Sequence, residues 1–327
     1  MGQPLVSVIT PVLNSAETLE MTLSSVAAQT YPNVEHIVVD GGSTDGTIEI
    51  LRRFSSSVRL RWLSEPDTGM YAALNKGMTL ASGEVMSYLN SDDLYLPWSV
   101  ERAVSALSLK AADLVYGDLL VLVKKRGVVR DARIQFYPEF RARVYAHEVN
   151  LAQPTVFWHR RVPGAVGGFD EQLRYCGDFE YWLRTGVAGF KYTHVSELLA
   201  VAVEHEGALS ALHADELERE IARTRVRYGS TLRPRRLAGL HALTRLMHWR
   251  WEVLRFRAAL RKRHPPNWSD FIAFLRGAQL TIGGSNSLPL LLPTPLPKSW
   301  AALVLDGARF ERELIAEIAN RTSTASS

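Results

Sequence analysis

Apolar residues recur along the first hundred positions in two alternating rhythms. Val6 to Val12 (VSVITPV) is an almost continuous apolar run of strand length, and Leu19, Leu23 and Val26 follow at helical spacing. Between them Asn14 precedes Glu17 by three residues, the spacing of a capping box, which predicts that the helix starts there. Glu35 to Val39 predicts a second strand, Asp40 to Gly46 (DGGSTDG) a turn, and Ile48, Leu51 and Phe54 a helix behind it. A third strand is predicted at Arg59 to Leu63, a helix at Met70 to Leu80, and a fourth strand at Val85 to Leu89. The last of these runs into two adjacent carboxylates, Asp92 and Asp93, before a helix that begins near Pro97. Repeated β-α units with short connections predict an α/β fold, a Rossmann-like, mostly parallel sheet flanked by helices, with ligands beyond the carboxyl ends of the strands. That rule puts Asp92 and Asp93 on the same rim as Pro11, Asn14, Asp40 and Asp67.

The second half is less regular. Leu114 to Val123 and Val128 to Phe136 flank Lys124-Lys-Arg-Gly127 as a hairpin would. Gln153 to Arg160 leads into the Gly- and Pro-broken VPGAVGGFDEQL, a short helix is predicted near Asp178, Lys191 to Val203 reads as a strand, and Ala211 to Tyr228 as a charged helix. Beyond residue 230 come a basic stretch, the Pro-rich SLPLLLPTPLPKSW, and an amphipathic pattern from Ala301 to Ile318, together a helical C-terminal extension.

Composition narrows the function classes. The chain has 327 residues, 46% hydrophobic and 22% charged, which is ordinary for a globular protein with a sizeable core. Its one cysteine, Cys176, excludes an internal disulfide and a multi-cysteine zinc site, and predicts a reducing, cytoplasmic setting. The N-terminus lacks the pattern of an export signal, and no run of 18 apolar residues occurs. Between Arg233 and Arg263 ten Arg or Lys face one acid, Glu252, whereas the whole chain nets only +4, so the body is mildly acidic. In the basic stretch Leu237, Leu240, Leu243, Met247, Trp251 and Leu254 keep helical spacing. Its arginines and tryptophans suit an anionic membrane surface, or equally a helix packed on the acidic body with its arginines solvated. No recognised nucleic-acid-binding fold accompanies it, so nucleic acid is not expected as a partner.

The rim decides between ligand chemistries. A dinucleotide-binding unit needs glycines in its first strand-to-helix turn, and a P-loop needs a Gly-rich turn ending in Lys and Ser or Thr. TPVLNSAE, residues 10–17, has no glycine. The rim offers carboxylates instead, Asp40, Asp67, Asp92 and Asp93, and carboxylates meet phosphates only through a divalent cation such as Mg²⁺ or Mn²⁺. Taken one at a time, each has a plainer reading as a turn or cap residue, and so has Asp178 as the cap of its helix.

Five strings in order, VSVITPVLN, VVDGGSTDGT, SEPDTGMYAALNKG, YLNSDDLYLP and GGFDEQLRYCGDFEYWLR, resemble glycosyltransferase family 2, over about residues 5 to 205. The resemblance implies the GT-A fold and inverting transfer from a nucleoside-diphosphate sugar. It implies that Thr10, Pro11 and Asn14 border the nucleotide, that Asp40 accepts a hydrogen bond from the base, and that Asp67, Gly69 and Asn75 run alongside the nucleoside. Asn90-Ser-Asp92 falls on the family's Asp-x-Asp position, which makes Asp92 a metal ligand, and Asp93 supports it or touches the donor sugar. Asn90 stands where an aspartate is commoner, which implies weaker metal binding. His205 resembles a histidine placed near metal and diphosphate in some members. Asp178 matches the catalytic carboxylate; among Tyr175, Cys176, Phe179, Tyr181 and Trp182 its pKa would rise towards usefulness as a base. Glu180 would point elsewhere.

The resemblance divides the chain into a catalytic domain, residues 1–230, with a nucleotide-sugar half to about residue 112 and an acceptor half from about 113, followed by the extension 231–327. The Gln-x-x-Arg-Trp string of the processive synthases is absent, so transfer of one sugar to a glycan or lipid-linked acceptor is implied, in surface polysaccharide synthesis, with peripheral attachment at the inner face of the plasma membrane. Two rivals remain, a non-catalytic nucleotide-sugar-binding or scaffold protein and a sugar-phosphate nucleotidyltransferase; the second needs a basic, Gly-rich N-terminal loop that this chain lacks.

Overall fold

A computed structural model describes residues 2–55, 60–126, 128–135, 137, 139–146, 151–208, 212–229 and 294–295. The first half contains β1 (Val6–Val12), α1 (Leu19–Ala27), β2 (Val34–Asp40), α2 (Thr47–Phe54), β3 (Leu60–Ser64), α3 (Met70–Leu80), β4 (Val85–Tyr88), β5 (Leu94–Tyr95) and α4 (Ser99–Lys110). The second half contains β6 (Leu114–Lys125), β7 (Val128–Gln135), α5 (Ala142–Tyr145), a 3-10 turn at Gln153–Thr155, β8 (Phe157–His159), α6 (Arg161–Val166), α7 (Gly177–Val187), β9 (Tyr192–Glu204) and α8 (Ala214–Gly229). A two-residue β10 (Thr294–Pro295) pairs with β7.

The strand order is β10-β7-β6-β8-β4-β1-β2-β3, with β9 joined to β6 and β5. Strands β4, β1, β2 and β3 are parallel to one another, as the β-α rhythm requires. β1 is buried from end to end because it lies centrally and is covered on both faces, which explains its near-continuous apolar sequence. On one face α1 and α2 enclose Val12, Leu19, Leu23, Val38 and Leu51; on the other a larger core runs from Ile9 and Leu74 to Trp158 and Trp182.

Beyond β4 the sheet becomes mixed. The three-residue β8 inserts antiparallel between β4 and β6, β6 and β7 form the predicted hairpin, and β9 runs parallel to β6. A strand of three residues carries too little pattern to be read from sequence, and it reverses the sheet's direction here.

Three local expectations are revised. Asn14 does not cap α1: the helix begins at Leu19 after Thr18, with no side-chain cap, and Asn14 is engaged elsewhere. The Gly- and Pro-broken stretch folds into the short α6, whose proline sits in the first turn where its missing N–H costs little. Asp92 and Asp93 do not cap α4, which begins at Ser99, because β5 intervenes. The expectations for the basic stretch 233–263 and the amphipathic segment Ala301 to Ile318 lie outside the described residues. Among the described residues, no helix is long and apolar enough to cross a membrane.

Candidate active site

The carboxyl ends of β1 and β2 are stitched together by side chains. Asn14, with φ of 50°, occupies the left-handed region that asparagine tolerates; its Oδ1 accepts from the Thr44 amide at 2.9 Å, and its own amide donates to Ser43 Oγ at 2.7 Å. Asp45 accepts from the Ala16 amide at 3.0 Å. Thr10 and Pro11 are buried within β1, and Thr10 Oγ1 lies 2.9 Å from His36 Nε2. Burial pushes the His36 imidazole down to about 3 and keeps it neutral.

Asp40 is fully buried at the end of β2. Its carboxylate accepts from the amides of Gly42 and Ser43, each at 3.0 Å, from Ser64 Oγ at 2.6 Å, and from the Ser43 hydroxyl. Four donors satisfy its two oxygens. Asp67 lies over the same turn: a Cβ on Gly41 would stand 2.9 Å from Asp67 Oδ2, so any side chain there would displace that carboxylate. Burial raises the Asp67 carboxyl, the Gly69 amide at 2.9 Å opposes the rise, and Asp40 adds to it. Gly69, at φ of 140°, turns the chain directly into α3.

The loop after β4 separates the two adjacent aspartates. Asp92 faces His205 at the end of β9, with Nε2 3.1 Å from Oδ2. Asp93 turns inward, where its Oδ1 accepts from the Val203 amide at 3.4 Å and Asn90 Nδ2 lies 3.4 Å from its Oδ2. Burial and the neighbouring Asp92 push the Asp93 carboxyl well above the usual range. Asn90 also reaches Gln153 Oε1 at 3.3 Å, and Gln153 donates to the Tyr88 carbonyl at 3.0 Å. An aspartate at position 90 would set a further carboxylate against Asp93 and Gln153 Oε1, a physical reason for asparagine there.

The Asp92-His205 pair fits a divalent cation. Two ligands about 2.1 Å from a six-coordinate ion, at adjacent positions, stand about 3.0 Å apart, close to the spacing of this pair. The mixed oxygen and nitrogen set suits Mn²⁺ better than Mg²⁺. Among the described residues, no three metal-ligating side chains converge, so a cation held by Asp92 and His205 would need further ligands from outside the protein.

Asp178 is the second residue of α7 rather than its cap, which is Cys176. Burial raises its carboxyl, while the Phe179 amide, its own amide and the Tyr71 hydroxyl work in the opposite direction. Tyr71, Tyr88 and Tyr145 all lie within its electrostatic reach. Glu180 does point elsewhere: it pairs with Arg184 at 3.0 Å and accepts from Tyr228 at 2.6 Å.

Asn75 is engaged by the 169–171 segment. Its Nδ2 donates to the Phe169 carbonyl at 2.9 Å and to Glu171 at 2.7 Å, and its Oδ1 accepts from the Phe169 amide at 2.8 Å. Pattern reading did not single out four further residues. Ser15 and Ser91 hydroxyls meet at 2.8 Å and tie the β1 loop to the Asp92 loop. Glu220 of α8 accepts from the amides of Arg174, Tyr175 and Cys176 at 2.8 to 3.1 Å, fixing the chain that enters α7. Lys124, at the end of β6, is within electrostatic reach of His205. None had a sequence signal, since each acts across a long separation.

Comparison with known proteins bears on the family and the fold. Residues 7–162 match the family described as Glycosyl transferase family 2. A relative from Mycobacterium bovis, "PGL/p-HBAD biosynthesis glycosyltransferase", is 29% identical over 220 residues, 66% of this chain and 83% of the relative. "Glycosyltransferase AglE" of Haloferax volcanii is 34% identical over 206 residues, 60% of this chain and 66% of the relative. The crystal structure of S. aureus TarS in complex with UDP-GlcNAc superposes with a TM-score of 0.55 at 22% identity, covering 67% of this chain and 66% of TarS, and shows the shared fold. The chain carries a glycosyltransferase family 2 domain, has a Rossmann-like fold of the GT-A type, and is an enzyme of the glycosyltransferase class.

Proposed function

We propose that the protein transfers one sugar, with inversion, from a nucleoside-diphosphate sugar to a hydroxyl of a glycan or lipid-linked acceptor. The observation that carries this reading is Asp178, a carboxylate at the start of α7 that meets the Tyr71 hydroxyl of α3 at 3.4 Å and is raised by burial. In an inverting displacement the acceptor oxygen bonds to the anomeric carbon as that carbon's bond to the diphosphate oxygen breaks. The hydroxyl proton passes to Asp178, and the nucleoside diphosphate leaves with the bonding pair.

Asp92 and His205 would hold a divalent cation, which would neutralise charge on the departing diphosphate. Lys124 adds a positive side chain near His205. The nucleotide sits against the loops carrying Asn14, Asp40, Asp67 and Gly69, with Thr10 and Pro11 beneath them. Asp40 and Asp93 act chiefly by holding their loops in place. A lipid-linked acceptor accords with the basic stretch 233–263, which would bring the catalytic domain, residues 1–230, to an anionic membrane at its cytoplasmic face.

The test is Asp178→Asn. Transfer should fall by about 10²-fold or more while donor affinity, measured by calorimetry, stays at the native value. Native turnover in this variant would remove Asp178 from the reaction and favour a binding protein.

A further inference from the structure

The two halves of the site meet at one phenol. Tyr71 lies in the first turn of α3, two residues beyond Gly69, and is buried to 2% exposure. Its hydroxyl stands 3.4 Å from Asp178 Oδ1, to which it donates, and 3.3 Å from the Asp178 amide, from which it accepts. One carboxylate oxygen and the backbone amide of Asp178 are thus tied to a single phenol oxygen.

The ring has little freedom to move away. Residue 177 is glycine, and a Cβ there would lie 2.7 to 2.8 Å from three carbons of the Tyr71 ring, so the ring fills the space a side chain would take. On another side it stacks on Phe169, with ring centres 5.8 Å apart and planes at 20°. Phe169 is fixed in turn by Asn75, one turn further along α3. Helix α3 therefore grips the acceptor half at two points while its N-terminus carries the Asp67–Gly69 turn.

We propose that Tyr71 is a positioning residue for Asp178, holding the carboxylate by its hydroxyl and tying it to the donor-side turn that begins α3. This rests on the reading of Asp178 as the base. The other titratable groups facing Asp178 are Tyr88 of β4, Tyr145 of α5, and Cys176 ahead of α7, with Glu220 of α8 next to Cys176. Burial first, and Asp178 second, keep the Tyr71 phenol well above its ordinary value, so it stays a donor through the working range. Its hydrogen bond favours the ionised carboxylate and opposes the effect of burial.

The sign of the consequence follows. Tyr71→Phe keeps the ring and the packing on Gly177 but removes the hydroxyl, so the Asp178 carboxyl rises further. The acidic limb of the kcat/KM profile then moves to higher pH: activity falls about tenfold below the limb for each pH unit of displacement. On the plateau the loss is smaller, and donor affinity is retained. The experiment is a set of kcat/KM profiles for wild type, Tyr71→Phe and Asp178→Asn, with melting temperatures to show that the variants fold. A Tyr71→Phe profile superimposing on wild type, with Asp178→Asn inactive, overturns the role of Tyr71 alone. An active Asp178→Asn overturns the reading of the base instead.

Discussion

His205 and Asp92 are 113 residues apart in the chain, yet Nε2 of one stands 3.1 Å from Oδ2 of the other. The antiparallel pairing of β5 with β9 produces this contact. Leu94 lies opposite Val201 and Tyr95 opposite Ala200, so the chain before Leu94 and the chain beyond Val201 run side by side to the same rim. A carboxylate followed by a short strand is thereby delivered to a histidine that follows a long one.

The pair makes a metal-dependent prediction. Asp92→Ala and His205→Ala should each weaken donor binding about tenfold or more with Mn²⁺ present, and change it little in a chelator. The double variant should be scarcely worse than either single one, since both remove the same site. Calorimetric titration of a nucleotide sugar with and without Mn²⁺ checks this, and equal losses under both conditions would contradict the assignment.

Asn75 separates two roles that the family resemblance and the geometry give it. Asn75→Ala removes three hydrogen bonds to the 169–171 loop, and a destabilisation of about 2–3 kcal/mol is expected in denaturant melts. Donor affinity should be essentially unchanged. A variant of native stability with weakened donor binding would put the side chain at the nucleoside instead.

His36 predicts an acid sensitivity. In the folded protein its imidazole takes up a proton only near pH 3, because it is buried against Thr10, whereas in the unfolded chain it does so near pH 6.5. The unfolded state therefore binds the proton first as pH falls. Its contribution to stability is intact above about pH 6.5 and declines by about 1.4 kcal/mol for each pH unit below that, until the folded value is reached. Urea midpoints compared between wild type and His36→Gln from pH 7 to pH 4 should show a shallower decline in the variant. Parallel curves would mean that another group dominates the acid limb.

Much of the first half was legible in sequence because its signals are local. Met70 to Leu80 is a helix at the predicted bounds, since its apolar spacing, the preceding Gly69 and the turn at Asp67 all agree. β1 and β2 follow from apolar runs of strand length. The same local reasoning misread Asn14: its spacing to Glu17 fits a capping box, but the Ser43 hydroxyl and the Thr44 amide lie on another loop, and hydrogen bonding across to that loop wins. No property of residues 14–17 alone reports that competition.

By itself the sequence determined the β-α rhythm, the carboxylates at the ends of the strands and the absence of a glycine cradle for bare phosphates. Those depend on side-chain period and turn chemistry, which are encoded within a few residues. Tertiary structure alone decided that Asp92 meets His205, that Asp93 turns inward, that Asn75 grips a loop and that Tyr71 reaches Asp178. Each of these is set by strand register or by the packing of helices drawn from distant parts of the chain. A local pattern supplies the reactive groups, and only the closed sheet fixes which of them stand within 3 to 4 Å of one another.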